Sequence, residues 1–302
     1  MNNNTYEAAL DRKLRDKASK YDTALLQGES EVQGYYYLPA AELNKEMTKH
    51  NLFRRFGTVI KVKADGDNII VPTSTAKAEI VDDFTAFPDA ECEYKEITVR
   101  THKIASLAKL STNLVSDAGF DVTHYLTHQF ALRFARAEED IFLNGTGNNE
   151  PLGILKTADA GAVTKELTYD DIIKLYFSVN AESRDNGVWV MGDETAVKLR
   201  SLKDKNGNYL WNSHNDTIFG KPVVTSIYMT DASTPVLFGD LSQVWILVRD
   251  PLAVKVLSER YILDGQFGYG ANERIDVQLI RPETVKVLKV ECESEPREDT
   301  AA

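Results

Sequence analysis

The side chains best suited by type to do chemistry are His124 and His128, four residues apart on what reads as one helix. That spacing lets two imidazoles approach one metal ion. No HExxH pattern surrounds them and both fall on the polar side of the helix, so a solvated or interface pair is the better reading. His50, His102 and His214 stand alone. Cys92 and Cys292 lie far apart without metal-ligand spacing and read as reduced structural thiols. Gly145-Thr146-Gly147 matches half of a phosphate loop, but it follows a helix. Phosphate loops follow a strand and open a helix whose N-terminus holds the anion, so this is a turn. Gly220-Lys221 lacks the upstream glycine of a P-loop and runs into Pro222, and no nucleophile-elbow pentapeptide occurs. Of the paired carboxylates, Asp82-Asp83 sits in an exposed projecting segment, while Asp170-Asp171 opens a helix, where anions stabilise the dipole. Arg54, Arg55, Lys61, Lys63 and Lys77 gather near the projection and suit contact with an acidic neighbour better than catalysis. No motif points to a metal or a cofactor.

The elements around these residues carry the stronger signal. The chain has 302 residues, 43% hydrophobic and 27% charged, enough for one or two domains with a substantial core. No apolar run approaches the roughly 20 residues of a membrane span. The polar start MNNNTYEAALDRKLRDKASKYD is not a secretory signal, which implies a cytoplasm-like compartment. With 35 basic against 46 acidic residues the formal charge is −11. That argues against a domain that reads nucleic acid; it does not exclude a container, since an acidic wall repels phosphate and avoids adhering to a packed polyanion.

Residues 5–26 carry an apolar stripe at helical spacing, Tyr6, Ala9, Leu10, Leu14, Ala18, Tyr21 and Leu25, which docks either on a neighbour or on its own domain. An extended lead-in, a helix over about 40–50 behind Pro39, and a strand follow. Residues 65–98 read as a long two-stranded excursion, marginal alone in water and so expected to lie on another surface. The helix over 121–144 starts at the N-cap Asp121 and stops at Gly145, with a stripe of Val122, Leu126, Phe130, Phe134, Ala137 and Ile141, widened by Tyr125, Leu132 and Phe142. At ~1.5 Å per residue it spans roughly 35 Å and acts as a strut. Beyond Pro151 the pattern turns α/β: helices over 169–183 and 194–202, strands at 188–191, 221–229, 235–238, 244–248 and 253–256, then two closing strands around Arg281-Pro282-Glu283. The end is an acidic tail.

This order of parts resembles a tailed-phage major capsid protein of the Hong Kong ninety-seven, or Johnson, fold. The resemblance rests on five segments in sequence: the lead-in GYYYLP; KIASLAKLSTNLVSD with the strut and LNGTGNNEPLGIL; VMGDETAVKLRSLKDKNGNYLW with IFGKPVVTS; LFGDLSQVWILVRD; and NERIDVQLIRPETVKVLKV. It implies an α+β chain divided into an N-terminal arm over 1–33, a lead-in with helix and first strand over 34–64, an extended loop over 65–98, a P-domain over 99–159 with its spine helix, an A-domain over 160–258, and closing P-domain strands with the tail over 259–302.

The family implies a virion subunit, made in the host cytoplasm, whose copies form hexamers and pentamers of an icosahedral shell around double-stranded DNA. A portal protein, a separate scaffolding protein and decoration proteins are the implied partners, with no membrane, cofactor or enzymatic activity. Its wrapping interfaces can exceed ~2,000 Å². Expected intersubunit contacts are Arg54, Arg55, Lys77, Asp82, Asp83, Phe84 and Phe87 around the loop, and Asp204, Lys205, Asn206, Tyr209 and Trp211 in the A-domain. Some members weld the shell by a Lys–Asn bond promoted by a Glu; those positions fall at Phe84, near Gly265 and at Asn272, so such welding is not expected here. An encapsulin-like compartment enclosing an enzyme cargo is the alternative within the fold, and a small α/β enzyme over 160–260 the alternative outside it.

Overall fold

The computed structural model describes residues 3–27, 34–72, 80, 94–202, 209, 211 and 216–291. The amphipathic start forms two helices, α1 (Asn3–Leu14) and α2 (Lys20–Gln27), broken where Asp16 takes a left-handed φ of 56°. Their stripe packs on the chain's own core: Ala9, Leu10, Leu14 and Leu26 are buried among residues of the first sheet and the long helix. Of the two docking modes the sequence allows, the structure has the internal one. Polar contacts fix it, since the Tyr269 hydroxyl donates to the Leu14 carbonyl at 2.8 Å and Arg15 donates to the carbonyls of Val115 and Asp117.

Next come β1 (Tyr36–Tyr37), α3 (Ala40–His50), α4 (Leu52–Phe56) and β2 (Thr58–Lys61). The excursion begins as β3 (Asn68–Pro72) and returns as β4 (Tyr94–Thr98), antiparallel in register from Asn68↔Thr98 to Pro72↔Tyr94. The base of this ribbon is seated, with Val71 and Ile97 packed on Ile280 and Trp245. Residues 73–79 and 81–93 between the strands lie outside the described residues.

The chain continues through β5 (His102–Ser111), the short α5 (Thr112–Ser116) and the strut α6 (Val122–Asn144). Asp121 caps α6 by accepting from the His124 N–H at 2.9 Å, and the Gly145 N–H closes it onto Ile141. Then follow α7 (Ile154–Thr157), β6 (Asp159–Thr164), α8 (Tyr169–Ser178), α9 (Ala181–Arg184), β7 (Val188–Met191), α10 (Asp193–Ser201), β8 (Thr217–Ile218), β9 (Lys221–Thr225), β10 (Val236–Gly239), β11 (Val244–Leu257), β12 (Gln266–Leu279) and β13 (Val285–Val290).

Among the described residues two sheets form the body. The first has the order β1-β11-β12-β5, with β2 parallel to the other half of β11; the second has the order β6-β13-β10-β7-β9-β8. This corrects two strand assignments. The strands expected at 244–248 and 253–256 are one 14-residue strand, β11, bulged between Val248 and Ala253. It belongs to the first sheet, because it pairs with β12 along its whole length. Conversely β13, expected beside β12 as a closing P-domain strand, lies between β6 and β10 in the second sheet. The break at Arg281-Pro282 separates the two destinations. The inner face of the first sheet, with Ala108, Leu110, Tyr269 and Ala271, packs on Leu126, Phe130 and Phe134 of α6. The second sheet buries Trp189 stacked on Phe238 at 4.1 Å, beside α8 and α10.

Candidate functional site

Two features could carry function: a buried polar junction beneath α6, and the outward face of the first sheet. Along α6 the buried positions Val122, Leu126, Phe130, Phe134 and Phe142 recur every fourth residue, with one step filled by Glu138 rather than an apolar side chain. Glu138 is wholly buried and Glu139 nearly so. The apolar stripe therefore contains two acids, where Ala137 and Ile141 were expected to continue it. The side chain of Asn51 makes burial tolerable: its Oδ1 caps α4 by accepting from Phe53 and Arg54, and its Nδ2 donates to Glu138 at 2.9 Å. Arg54 grips the same carboxylate through Nε at 2.7 Å and through Nη2, and its Nη2 lies 3.7 Å from Oε2 of Glu273 on β12. Glu139 accepts from the Leu52 N–H at 3.1 Å and from the Ser226 hydroxyl at 2.5 Å, tying α4 and the turn after β9 to the same helix.

Burial opposes the charge of Arg54, but the fields of Glu138 and Glu273 outweigh it and hold the guanidinium's pKa above its ordinary value. Glu273 is displaced the other way. Burial first, then the adjacent Glu138 charge, raise its carboxyl well above the usual carboxylate range, and Arg54 only partly offsets them. Glu273 Oε1 has no hydrogen-bond partner among the described residues. Arg54, expected on a neighbour's surface, is thus folded inward, because two buried acids would otherwise stand uncompensated. Arg55, next to it, stays exposed over the Phe56 ring at 4.9 Å.

The outward face of the first sheet is different in character. Strand alternation puts Lys103 and Lys109 of β5 on it, opposite Arg274 and Gly268 of β12, with Lys255 of β11 opposite Gly270. The three lysines are exposed, and Lys109 and Lys255 lie over the rings of Tyr261 and Tyr35 at 4.4 and 5.6 Å. Glycines leave the middle of this face low. In a chain of net charge −11 it is a local cationic stripe. The hairpin beyond it turns at Gly265, in the left-handed region at φ 63°, with Leu263 nearly fully exposed.

The remaining expected residues separate. Lys77, Asp82, Asp83, Phe84, Phe87, Asp204, Lys205 and Asn206, with Cys92 and Cys292, lie outside the described residues. Tyr209 is exposed, whereas Trp211 is buried with Arg200 over its ring at 4.8 Å, so its indole serves the core of the second sheet rather than a surface. His124 and His128 face Glu42 and Glu46 of α3, the second pair at 3.3 Å. Among the described residues no group of three or more His, Cys, Asp or Glu could hold a metal ion, and no helix is long and apolar enough to cross a membrane. Gly145-Thr146-Gly147 is a turn: the Thr146 N–H and hydroxyl donate to Glu150, which lowers that carboxyl's pKa. Asp171 completes a capping box with Thr168. Burial raises its pKa, but hydrogen bonds from Thr168 and Lys174 prevail and leave it lowered.

This architecture of strut, ribbon and two sheets agrees with known folds. Among curated proteins no sequence matches significantly. The capsid of a native GTA particle shares 23% identity at a TM-score of 0.65, covering 87% of this chain and 95% of that one. The capsid of the empty GTA particle gives 23% and 0.67 over 91% and 99%. A structure from Gordonia phage Cozz gives 13% and 0.60 over 90% and 94%. These likenesses show the α+β phage capsid fold. Residues 38–290 match the phage capsid family, and the chain belongs to that family as a structural subunit of a capsid.

Proposed function

We propose that copies of this chain assemble into hexamers and pentamers of an icosahedral shell that encloses double-stranded DNA, in a mechanical role without catalysis. The shell forms in the host cytoplasm on a separate scaffolding protein, carries a portal at one vertex, and accepts decoration proteins outside. The observation behind this reading is a charge complementarity. Residues 73–93, between β3 and β4, hold six carboxylates against one lysine, Lys77. The outward face of the first sheet offers the exposed Lys103, Lys109 and Lys255. The extended loop of one subunit, with Asp82, Asp83, Phe84 and Phe87, lies across that face of the next. In the A-domain the 204–211 loop, including Asp204, Lys205, Asn206 and Tyr209, meets its counterparts at the capsomer axis, and Arg55 borders the loop contact. Phe84, at the position where some relatives carry the welding lysine, makes this a non-covalent shell. The match to the phage capsid family favours a nucleic-acid shell over an encapsulin-like compartment. Negative-stain microscopy of the purified, expressed protein tests the reading: closed particles, tubes or ring-shaped capsomers are expected, and persistent monomers at assembly concentrations would overturn it.

A further inference from the structure

One cation and two carboxylates meet under α6 in a space that water does not reach. Glu138 and Glu273 are 0% and 1% exposed, and among the described residues Arg54 is the one guanidinium between them. We propose that Glu138 and Glu273 share one proton, and that this proton is a latch holding the long helix α6 on strand β12. The count of charges motivates it. With both acids ionised the cluster would carry a net negative charge in a low-dielectric interior, where like carboxylates cannot both stay charged at small cost. With one proton the cluster is neutral.

The hydrogen bonds say where the proton sits. Glu138 accepts two donors from Arg54 and one from Asn51, so it is served as the carboxylate. Glu273 has an unpartnered oxygen and only a distant approach from Arg54, so it is the acid, and its hydroxyl donates to Glu138. The remaining surroundings offer it no further charge. On β5 the residue opposite is Ile104, and on β11 the facing segment is the bulge between Asp250 and Ala253, where Leu252 is buried. Glu139, the next acid on α6, is turned away to Leu52 and Ser226. Burial and the Glu138 charge raise the Glu273 carboxyl, in keeping with that arrangement. A bulge opposite a buried acid also fits, since bulges re-aim side chains and interrupt pairing.

The consequence is a loss of stability as pH rises above the ordinary carboxylate range. A carboxyl raised in the folded state contributes stability in full below its unfolded value, about 4.3. That contribution is lost as pH rises through the folded value. Relative to a neutral Glu273→Gln variant, the unfolding equilibrium constant of the wild type therefore rises about tenfold per pH unit between the unfolded and the folded values, and levels off above the folded value, where the proton has left. Ionised, Glu273 repels Glu138 and the seat of α6 weakens.

Infrared spectroscopy of the full chain at about pH 6, above the usual carboxylate range, tests the latch directly. The wild type should show the band of a protonated carboxyl, and Glu273→Gln should lack it. Glu138→Gln is the decisive variant, because it keeps Glu273 but removes the like charge. Glu273 should then ionise against Arg54 and the band should vanish. A wild type without the band, or a band that persists in Glu138→Gln, overturns the proposal, as does a Glu273→Gln chain whose urea unfolding keeps the wild-type dependence on pH.

Discussion

Arg54 and Glu138 show how unequal the two ways of removing a buried ion pair are. Truncating Arg54 leaves Glu138 without its bidentate partner at a site that excludes water, and such losses cost about 3–5 kcal/mol. Replacing both partners by apolar groups of similar volume removes the charge along with its need for compensation. Arg54→Ala should therefore lower the unfolding free energy by about 3–5 kcal/mol in a urea titration, while Arg54→Met with Glu138→Leu should recover most of it. A double variant as weak as the single one would show that the pair does more than neutralise itself. The sequence contains the clue to this cluster in the fourfold series Val122, Leu126, Phe130, Phe134, Glu138, Phe142. An acid falling on that series is either a break in the stripe or a buried acid, and spacing cannot distinguish them. The partner that decides it, Arg54, lies 84 residues away in the chain.

Among the elements, α6 depends on its two ends, and the ends are built differently. At the start, Asp121 satisfies one free N–H, so Asp121→Ala should cost about 1 kcal/mol. At the finish the chain crosses itself, with the Gly153 N–H donating to the Gly145 carbonyl at 2.9 Å. A Cβ on Gly153 would stand 2.4 Å from the Leu143 carbonyl oxygen and 2.6 Å from the Gly145 nitrogen, both backbone atoms that cannot step aside. Gly153→Ala should thus destabilise the chain more than Asp121→Ala does, measured by thermal melting of both; equal losses would refute the crossing as a constraint. Both ends of this helix were legible, since a capping Asp and a terminal Gly are local signals. The break between α1 and α2 was not, because Asp16 adopts its left-handed turn only as the two helices fold back over the first sheet.

For the whole molecule the governing quantity is where charge lies rather than its sum. Reversing Lys103, Lys109 and Lys255 to Glu leaves the apolar inner face of the sheet untouched while converting the outward stripe to the sign of residues 73–93. The variant should fold with a melting temperature near that of the wild type yet fail to form particles by electron microscopy. In the wild type, assembly through this face should weaken as salt is raised, because exposed charges are screened over about 10 Å at 0.1 M. A variant that still forms closed shells would remove the face from the subunit contact.

The sequence by itself determined the strut, its caps, the paired strands β3 and β4 at the base of the ribbon, the segments β7, β9 and β10 of the second sheet, and the family they compose. All of these follow from local periodicity, capping and turn chemistry, which act over a few residues. Tertiary structure alone decided which sheet received β11 and β13, where the N-terminal stripe docked, and that Arg54 points inward. Each is a competition between surfaces distant in the chain, settled by the burial and charge compensation that become available only when those surfaces meet.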